Sequence, residues 1–172
     1  QQVWERLEEI NWRMNVFDKR SDIEKINHSN RLPVSIGADT YQLLKDSVFF
    51  SKLTQGSFDI TIYPLIEIWK KAEEAHRLPS PKALNKAKEA VGSFNIEFLT
   101  KGRVRLLKSG TKIDVAGIAA GYGADEAARI FKKNGFDDFL VDTGGELYAA
   151  GHNCQGLAWR IGIRDPRDTS RL

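Results

Sequence analysis

Apolar and polar positions follow two periods along this chain, and the period changes near residue 93. Before it the spacing is helical. Val3, Leu7, Ile10 and Met14 recur every three or four residues and predict an amphipathic helix over residues 3–14. Ser21-Asp22-Ile23-Glu24 is a capping box and predicts a short helical turn ending near Asn27. Residues 33–36 read as a brief extended piece. Asp39 or Thr40 is expected to cap a second long helix, with Leu43, Leu44, Val48, Phe49 and Leu53 inward and a stop at Gly56. Pro64 and Pro81 each suit a first helical position. Leu65, Ile68, Trp69 and Ala72 give the first of these helices its face. Leu84, Ala87, Lys88 and Val91 follow in the other, which ends at Gly92.

After residue 93 the period is two. Phe94, Ile96 and Phe98 alternate with polar residues, as do Val104 and Leu106, and then Ile113 and Val115. Lys101-Gly102 and Ser109-Gly110 separate the three runs, which predicts a β-meander. The third run opens the stretch TKIDVAGIAAGYGADE, residues 111–126, around which the chain is organised. Here a strand carrying Asp114 is expected to break into small residues and open a helix whose stripe is Ala127, Ala128, Ile130 and Phe131, ending at Asn134-Gly135. Residues 139–141 read as a buried strand, 142–146 as a tight turn, 147–149 as the returning strand and 159–163 as a last strand. Residues 164–172 are polar. There is no repeat and no internal domain boundary, so the 172 residues read as a single domain.

Composition changes the picture little. Apolar residues make up 41% and charged residues 28%, ordinary for a globular chain. The net charge is +3, and Lys and Arg are interspersed with Asp and Glu, which argues against nucleic acid as the main partner. One cysteine, Cys154, excludes an internal disulfide. No apolar run reaches the length of a membrane span, and no signal peptide is visible. The chain starts at Gln1 without a methionine, and both its ends read as mid-protein sequence.

Three segments carry candidate chemistry. Small residues at 117, 119–121, 123 and 124 let a ligand approach the backbone beside helix amides, a ready anion site, and they suit close helix packing equally well. The pattern is neither GxGxxG nor GxxxxGK[ST]. Asp114 stands where it can accept hydrogen bonds from a ligand or satisfy nearby backbone donors. Asp142-Thr143-Gly144 has the letters of an aspartic protease. A hairpin turn suits it better, and Gly144-Gly145 would also let a ligand touch backbone. Ser57-Phe58-Asp59 reads as a turn whose Asp bonds local amides. His28, His76 and His152 are far apart and none has a partner at metal-ligand spacing. A bound metal is therefore expected to be a hard cation on oxygen ligands, magnesium before zinc.

Taken in order, five segments resemble one family. Phe58-Asp59-Ile60-Thr61 after Gly56 is similar to its Gly-Ala-Phe-Asp-x-Thr, and residues 114–125 to its Asp-Leu-Gly-Gly-Ile-Ala-Lys-Gly-Tyr-Ala-x-Asp. Gly144-Gly145-Glu146 matches a later Gly-Gly-Asp/Glu turn, and residues 159–166 a strand ending in Asp-Pro. Asn15-Val16-Phe17, Ser21-Asp22-Ile23 and Asn27 resemble its Ser-Thr-Tyr, Ser-Glu-Ile and Asn. The family is that of the FAD:protein FMN transferases, ApbE, once labelled thiamine-biosynthesis lipoproteins.

The resemblance implies an α+β fold, with a central, mostly antiparallel sheet flanked by helices and a helix-rich N-terminal portion. It implies magnesium-dependent transfer of FMN from FAD to a threonine of an acceptor protein, a redox or respiratory subunit, with release of AMP. Ser57, Phe58, Asp59 and Asp114 would lie against FAD. Phe17 stands where many members place a tyrosine near the flavin, and Ala120 where many have Lys or Glu. The Gly117 carbonyl would be a magnesium ligand. Ala116 replaces a glycine. No catalytic acid or base is nominated. The pattern implies that about a further third of the domain follows, with the Asp and Thr that complete the metal site, and that an N-terminal strand with a flavin-contacting Met precedes. Members usually act in the cell envelope, outside the cytoplasmic membrane and often lipid-anchored. Ala120 motivates one alternative, a protein that binds FAD or hydrolyses it to FMN and AMP; the other alternative is a non-catalytic relative with a scaffold or partner-binding role.

Overall fold

The computed structural model describes residues 1–163 and 165–168. Helices α1 (Gln2–Met14), α2 (Asp22–Asn27), α3 (Ala38–Leu53), α4 (Tyr63–Glu74) and α5 (Pro81–Ala90) precede the strands β2 (Ile96–Leu99) and β3 (Arg103–Leu106), with the two-residue strand β1 (Val34–Ser35) between α2 and α3. Helix α6 (Ala116–Lys133) and the hairpin β4 (Phe139–Asp142) and β5 (Leu147–Ala150) complete an α+β fold. All strand pairs are antiparallel. Among the described residues they form the sheets β1-β3-β2 and β4-β5.

The core lies where α1, α2 and α3 meet the three-stranded sheet. Ile23, Ile26, Leu43, Leu44, Val104, Ile113 and Val115 are its fully buried side chains. Half of the expected capping box forms: Ser21 Oγ accepts from the Glu24 amide, while the Ser21 amide donates to Asp18 O. The cap of α3 is Gly37, not Asp39 or Thr40. Both polar side chains are engaged elsewhere. Thr40 Oγ1 and the Gly37 amide donate to the buried Asp22 carboxylate, and Asp39 accepts from Arg6 and Tyr122. Of the expected inward face of α3, Leu43 and Leu44 are buried and Val48 packs against the core, but Phe49 and Leu53 are exposed. Trp69 of α4 is exposed as well.

Two expected strands, 113–115 and 159–163, do not form among the described residues, and the one expected to begin at Phe94 begins at Ile96. Phe94 lies exposed in a 3-10 turn (Ser93–Asn95) after Gly92, whose φ of 143° suits glycine and where a Cβ would run into the Phe94 ring. Residues 113–115 belong to no sheet among the described residues, and Val115, at φ −103° and ψ 9°, already caps α6. Residues 159–163 form no strand among the described residues, although Trp159 Nε1 donates to Ala150 O. Residues 139–141 do form a strand, half-buried rather than buried. Of the polar tail, residues 164 and 169–172 lie outside the described residues.

Candidate functional site

The glycine-rich stretch is not a turn before a helix. Val115 caps α6, so Gly117, Gly121 and Gly123 lie inside its first turns. The small residues act through the two faces they open. On one face Gly123 lets α1 approach; a Cβ there would sit 3.2 Å from Leu7 Cδ2. Between the helices runs a cleft of about 620 Å³.

Helix α1 gives this cleft one wall, with Trp4, Leu7, Asn11 and Met14 along one helical stripe. Helix α6 gives the other, with Ala116, Ala119, Ala120 and Gly123 as a smooth floor. Phe17 stands at one end, 73% exposed, with Lys70 Nζ 5.0 Å from its ring centroid. Trp4 is also exposed, at 70%. Two large rings held open on an apolar cleft form a platform for a flat aromatic ligand.

Polar groups punctuate the rim. Asp114 Oδ1 accepts from the Ala116 amide at 2.9 Å, which starts the helix and turns the carboxylate along the cleft. Opposite, Asp142 Oδ1 accepts from the Gly145 and Gly144 amides at 2.9 and 2.8 Å, and those two bonds hold its carboxyl below the usual carboxylate range. Residues 142–146 are thus the hairpin turn. Its Thr143 Oγ1 donates to Ala120 O at 3.1 Å and pins the hairpin to α6.

The seven site residues read from sequence divide between places. Phe17, Asp114 and Ala120 line the cleft. Gly117 faces a second groove on the far side of α6, shared with Phe49, Phe50 and Tyr122, and the Phe58 ring lies behind it, 3.4 Å from where a Cβ would stand. Ser57 is exposed. Asp59 is fully engaged: Oδ1 accepts from Thr61 N (2.8 Å) and Thr61 Oγ1 (2.6 Å), and Oδ2 from Ser93 N (2.9 Å) and Ser51 Oγ (3.4 Å). Trp4, Asn11, Asp142 and Thr143 were not singled out as ligand-facing. A signal existed for the first two, since both follow the helical stripe of Leu7 and Met14. None existed for the others, which reach the cleft through tertiary folding.

These residues do not fit a magnesium ion by themselves. Among the described residues no three His, Cys, Asp or Glu side chains gather into a metal site. The Gly117 carbonyl lies in the first turn of α6, where it points along the axis toward the amide four residues on.

The fold is shared with flavin transferases. It is similar to the structure of the ApbE protein of Thermotoga maritima, with a TM-score of 0.86 and 33% identity, covering 98% of this chain and 57% of that one. It is similar also to a variant of flavin transferase ApbE from Vibrio cholerae, with a TM-score of 0.86 and 28% identity, covering 96% and 57%. The chain belongs to the ApbE family, whose model matches residues 1–172. Among curated relatives, a Vibrio cholerae protein named FAD:protein FMN transferase is 32% identical over 165 residues, 93% of this chain and 48% of its own length. One of the same name from Haemophilus influenzae is 29% identical over 170 residues, 95% and 49%. The chain thus spans about half the length of the curated relatives it matches.

Proposed function

We propose that the protein transfers FMN from FAD to a threonine of an acceptor protein, releasing AMP. The observation that carries this reading is the cleft between α1 and α6. Its exposed aromatic rings and smooth apolar floor suit an isoalloxazine, and its rim of Asp114, Asn11 and Asp142 suits the ring's polar edge. In the reaction the threonine oxygen bonds to the phosphorus of the FMN phosphate. The bond from that phosphorus to the bridging oxygen breaks, AMP leaves with the electron pair, and the hydroxyl proton is released. This chain's part is to bind and orient the flavin, so that the phosphorus meets the hydroxyl in line. Phe58 and Gly117 belong to the proposal at the N-terminal end of α6, where a diphosphate would approach the first helix amides; Asp59 serves it by holding the turn after the exposed Ser57, not by ligand contact. The reading carries a magnesium requirement. The described residues offer no cage for the ion, and the Gly117 carbonyl is the one ligand this chain would lend to it.

The test is incubation with FAD, magnesium and an acceptor bearing a flavinylation threonine, read as flavin fluorescence on a denaturing gel with free FMN assayed in parallel. A fluorescent acceptor band that EDTA removes is expected. Free FMN and AMP without a band would replace the reading with FAD hydrolysis. One observation favours that second reading: Ala120 brings only a methyl group to the cleft, so this position supplies no charge to the phosphates. Ala120→Lys would then shift product from free FMN to flavinylated acceptor. Neither product together with absence of FAD binding would leave a non-catalytic role. The acceptor is proposed to be a redox or respiratory subunit, and the site of action the cell envelope, which fractionation checks. Among the described residues no helix is long and apolar enough to cross a membrane.

A further inference from the structure

Among the described residues the segment that presents Asp114 has no strand beside it, yet it is fixed from both flanks. Ile113 and Val115 are fully buried, and among the described residues the segment's ladder contact is an isolated parallel bridge between Ile62 and Lys112. On one flank stands Asn27, the last residue of α2. Its Nδ2 donates to Ile113 O at 2.9 Å, and its Oδ1 accepts from Ile113 N at 2.7 Å. One carboxamide thereby makes the pair of bonds that an antiparallel neighbour makes to a facing residue. On the other flank the Asp114 amide donates to Ile60 O at 2.8 Å. Ile60 is held in turn by the Asp59 carboxylate, which closes the turn onto Thr61 and ties it to Ser93, while Thr61 Oγ1 accepts from the Gly92 amide at 2.7 Å.

We infer that Asn27 and Asp59 are positioning residues: a side-chain clamp that stands in for missing strands, fixes the backbone of residues 113–114, and so sets the Asp114 carboxylate and the first turn of α6 against the ligand in the cleft. The inference rests on the flavin-cleft reading for the ligand, but its geometry does not. It gives Asp59 work other than ligand contact, and gives Asn27 a role that its place at the end of a six-residue helix does not suggest. Asparagine is required because both halves of the amide are used. Aspartate keeps the size and the acceptor but sets a carboxylate oxygen against the Ile113 carbonyl. Alanine removes both bonds.

The test uses the full-length protein with Asn27→Asp, Asn27→Ala, Asp114→Asn and the double variant Asn27→Asp/Asp114→Asn. Val104→Ala, a cavity in the same core that removes no hydrogen bond of the clamp, is the stability control. Two quantities are read: FAD affinity by flavin fluorescence titration, and amide hydrogen exchange at Ile113 and Asp114 without FAD. The clamp predicts at least tenfold faster exchange at those two amides in both Asn27 variants, beyond any change elsewhere. It predicts at least tenfold weaker FAD binding for Asn27→Asp, and little further loss when Asp114→Asn is already present. Three results would overturn it: exchange that rises evenly over the molecule, an affinity loss that adds in full to that of Asp114→Asn, or an equal loss in Val104→Ala. If Asp114→Asn leaves FAD binding unchanged, the flavin-cleft reading itself fails. The exchange result then still decides whether the clamp exists.

Discussion

Two aspartates with similar surroundings in sequence have different fates, and the difference is countable in donors. Asp59 receives four hydrogen bonds and Asp114 one from the described residues. A carboxylate whose lone pairs are all taken holds its own chain; one left open on a cleft is available to a ligand. Asp59→Asn would place an NH2 against at least one of those donors and leave it unpaired, at about 2–3 kcal/mol, read as a lower urea midpoint with unchanged slope. Tyr122 offers a second check at this scale. Its hydroxyl donates to Asp39 at 3.1 Å, and burial, with that carboxylate, pushes it up to about 12 from an ordinary 10.0. The unfolded chain loses this proton first as pH rises. The stability tied to Tyr122 is therefore whole below pH 10 and lost between pH 10 and 12. Thermal melts across that window should fall more steeply in the parent than in Tyr122→Phe. The sequence offered both roles for Asp59, local bonding and ligand contact. It could not choose, because Ser93 and Ser51 come to the carboxylate from other elements.

At the scale of elements, one arginine joins three helices. Arg6 of α1 bonds Glu9 on its own helix, Asp39 of α3 and Glu126 of α6, each at 2.8 Å, with its side chain only 15% exposed. Arg6→Met leaves three carboxylates facing one another with only Arg13 and Arg129 nearby. Removing one member of a fully buried pair costs about 3–5 kcal/mol; partial solvation here lowers the expectation to about 2–3 kcal/mol. The sign with pH follows. Arg6 holds Glu9 and Asp39 below their ordinary ranges, and Arg129 with Arg6 does so for Glu126. That stability is present above the ordinary values of 4.5 and 3.8 and is lost as pH falls below them. The deficit of Arg6→Met should therefore shrink in acid. Gly121 predicts the opposite direction: a Cβ there meets nothing within 4 Å, so Gly121→Ala should stabilise α6 by up to about 1 kcal/mol, read as a higher melting temperature. Long periodic segments such as α1 and α3 were legible from their spacing, because helical hydrogen bonds are local. Residues 113–115 were not. Their alternation is that of a strand, but the groups that satisfy their backbone are a side chain 86 residues away and the carbonyl of Ile60.

At the scale of the molecule, the two sheets differ in what covers them. The three-stranded sheet supplies Val104 and Leu106 to the core. The β4-β5 hairpin strands bury no side chain fully, and Leu140 and Leu147 stand exposed. A two-stranded ribbon is marginal in water alone, so this one depends on what ties it to α6. Among the described residues those ties are few: the Phe139 ring, stacked within the hairpin on Tyr148, lies 5.1 Å from Phe131, Lys132 Nζ donates to the Tyr148 hydroxyl at 2.8 Å, and Thr143 bonds Ala120 O. In this 172-residue chain the hairpin should therefore open below the global unfolding free energy, with amides of residues 139–150 exchanging faster than those of β2 and β3. Phe139→Ala removes the ring between Phe131 and Tyr148. It should bring hairpin exchange close to that of open chain while leaving β2 and β3 nearly unchanged. Equal protection in both sheets would show instead that the molecule opens as one unit. The result bears on the cleft, because Asp142 and Thr143 are its hairpin wall. If the hairpin opens alone, a ligand lodged between α1 and α6 against that wall must slow its exchange. FAD-dependent protection of residues 139–150 would then report occupancy of the cleft by a measurement that needs no turnover.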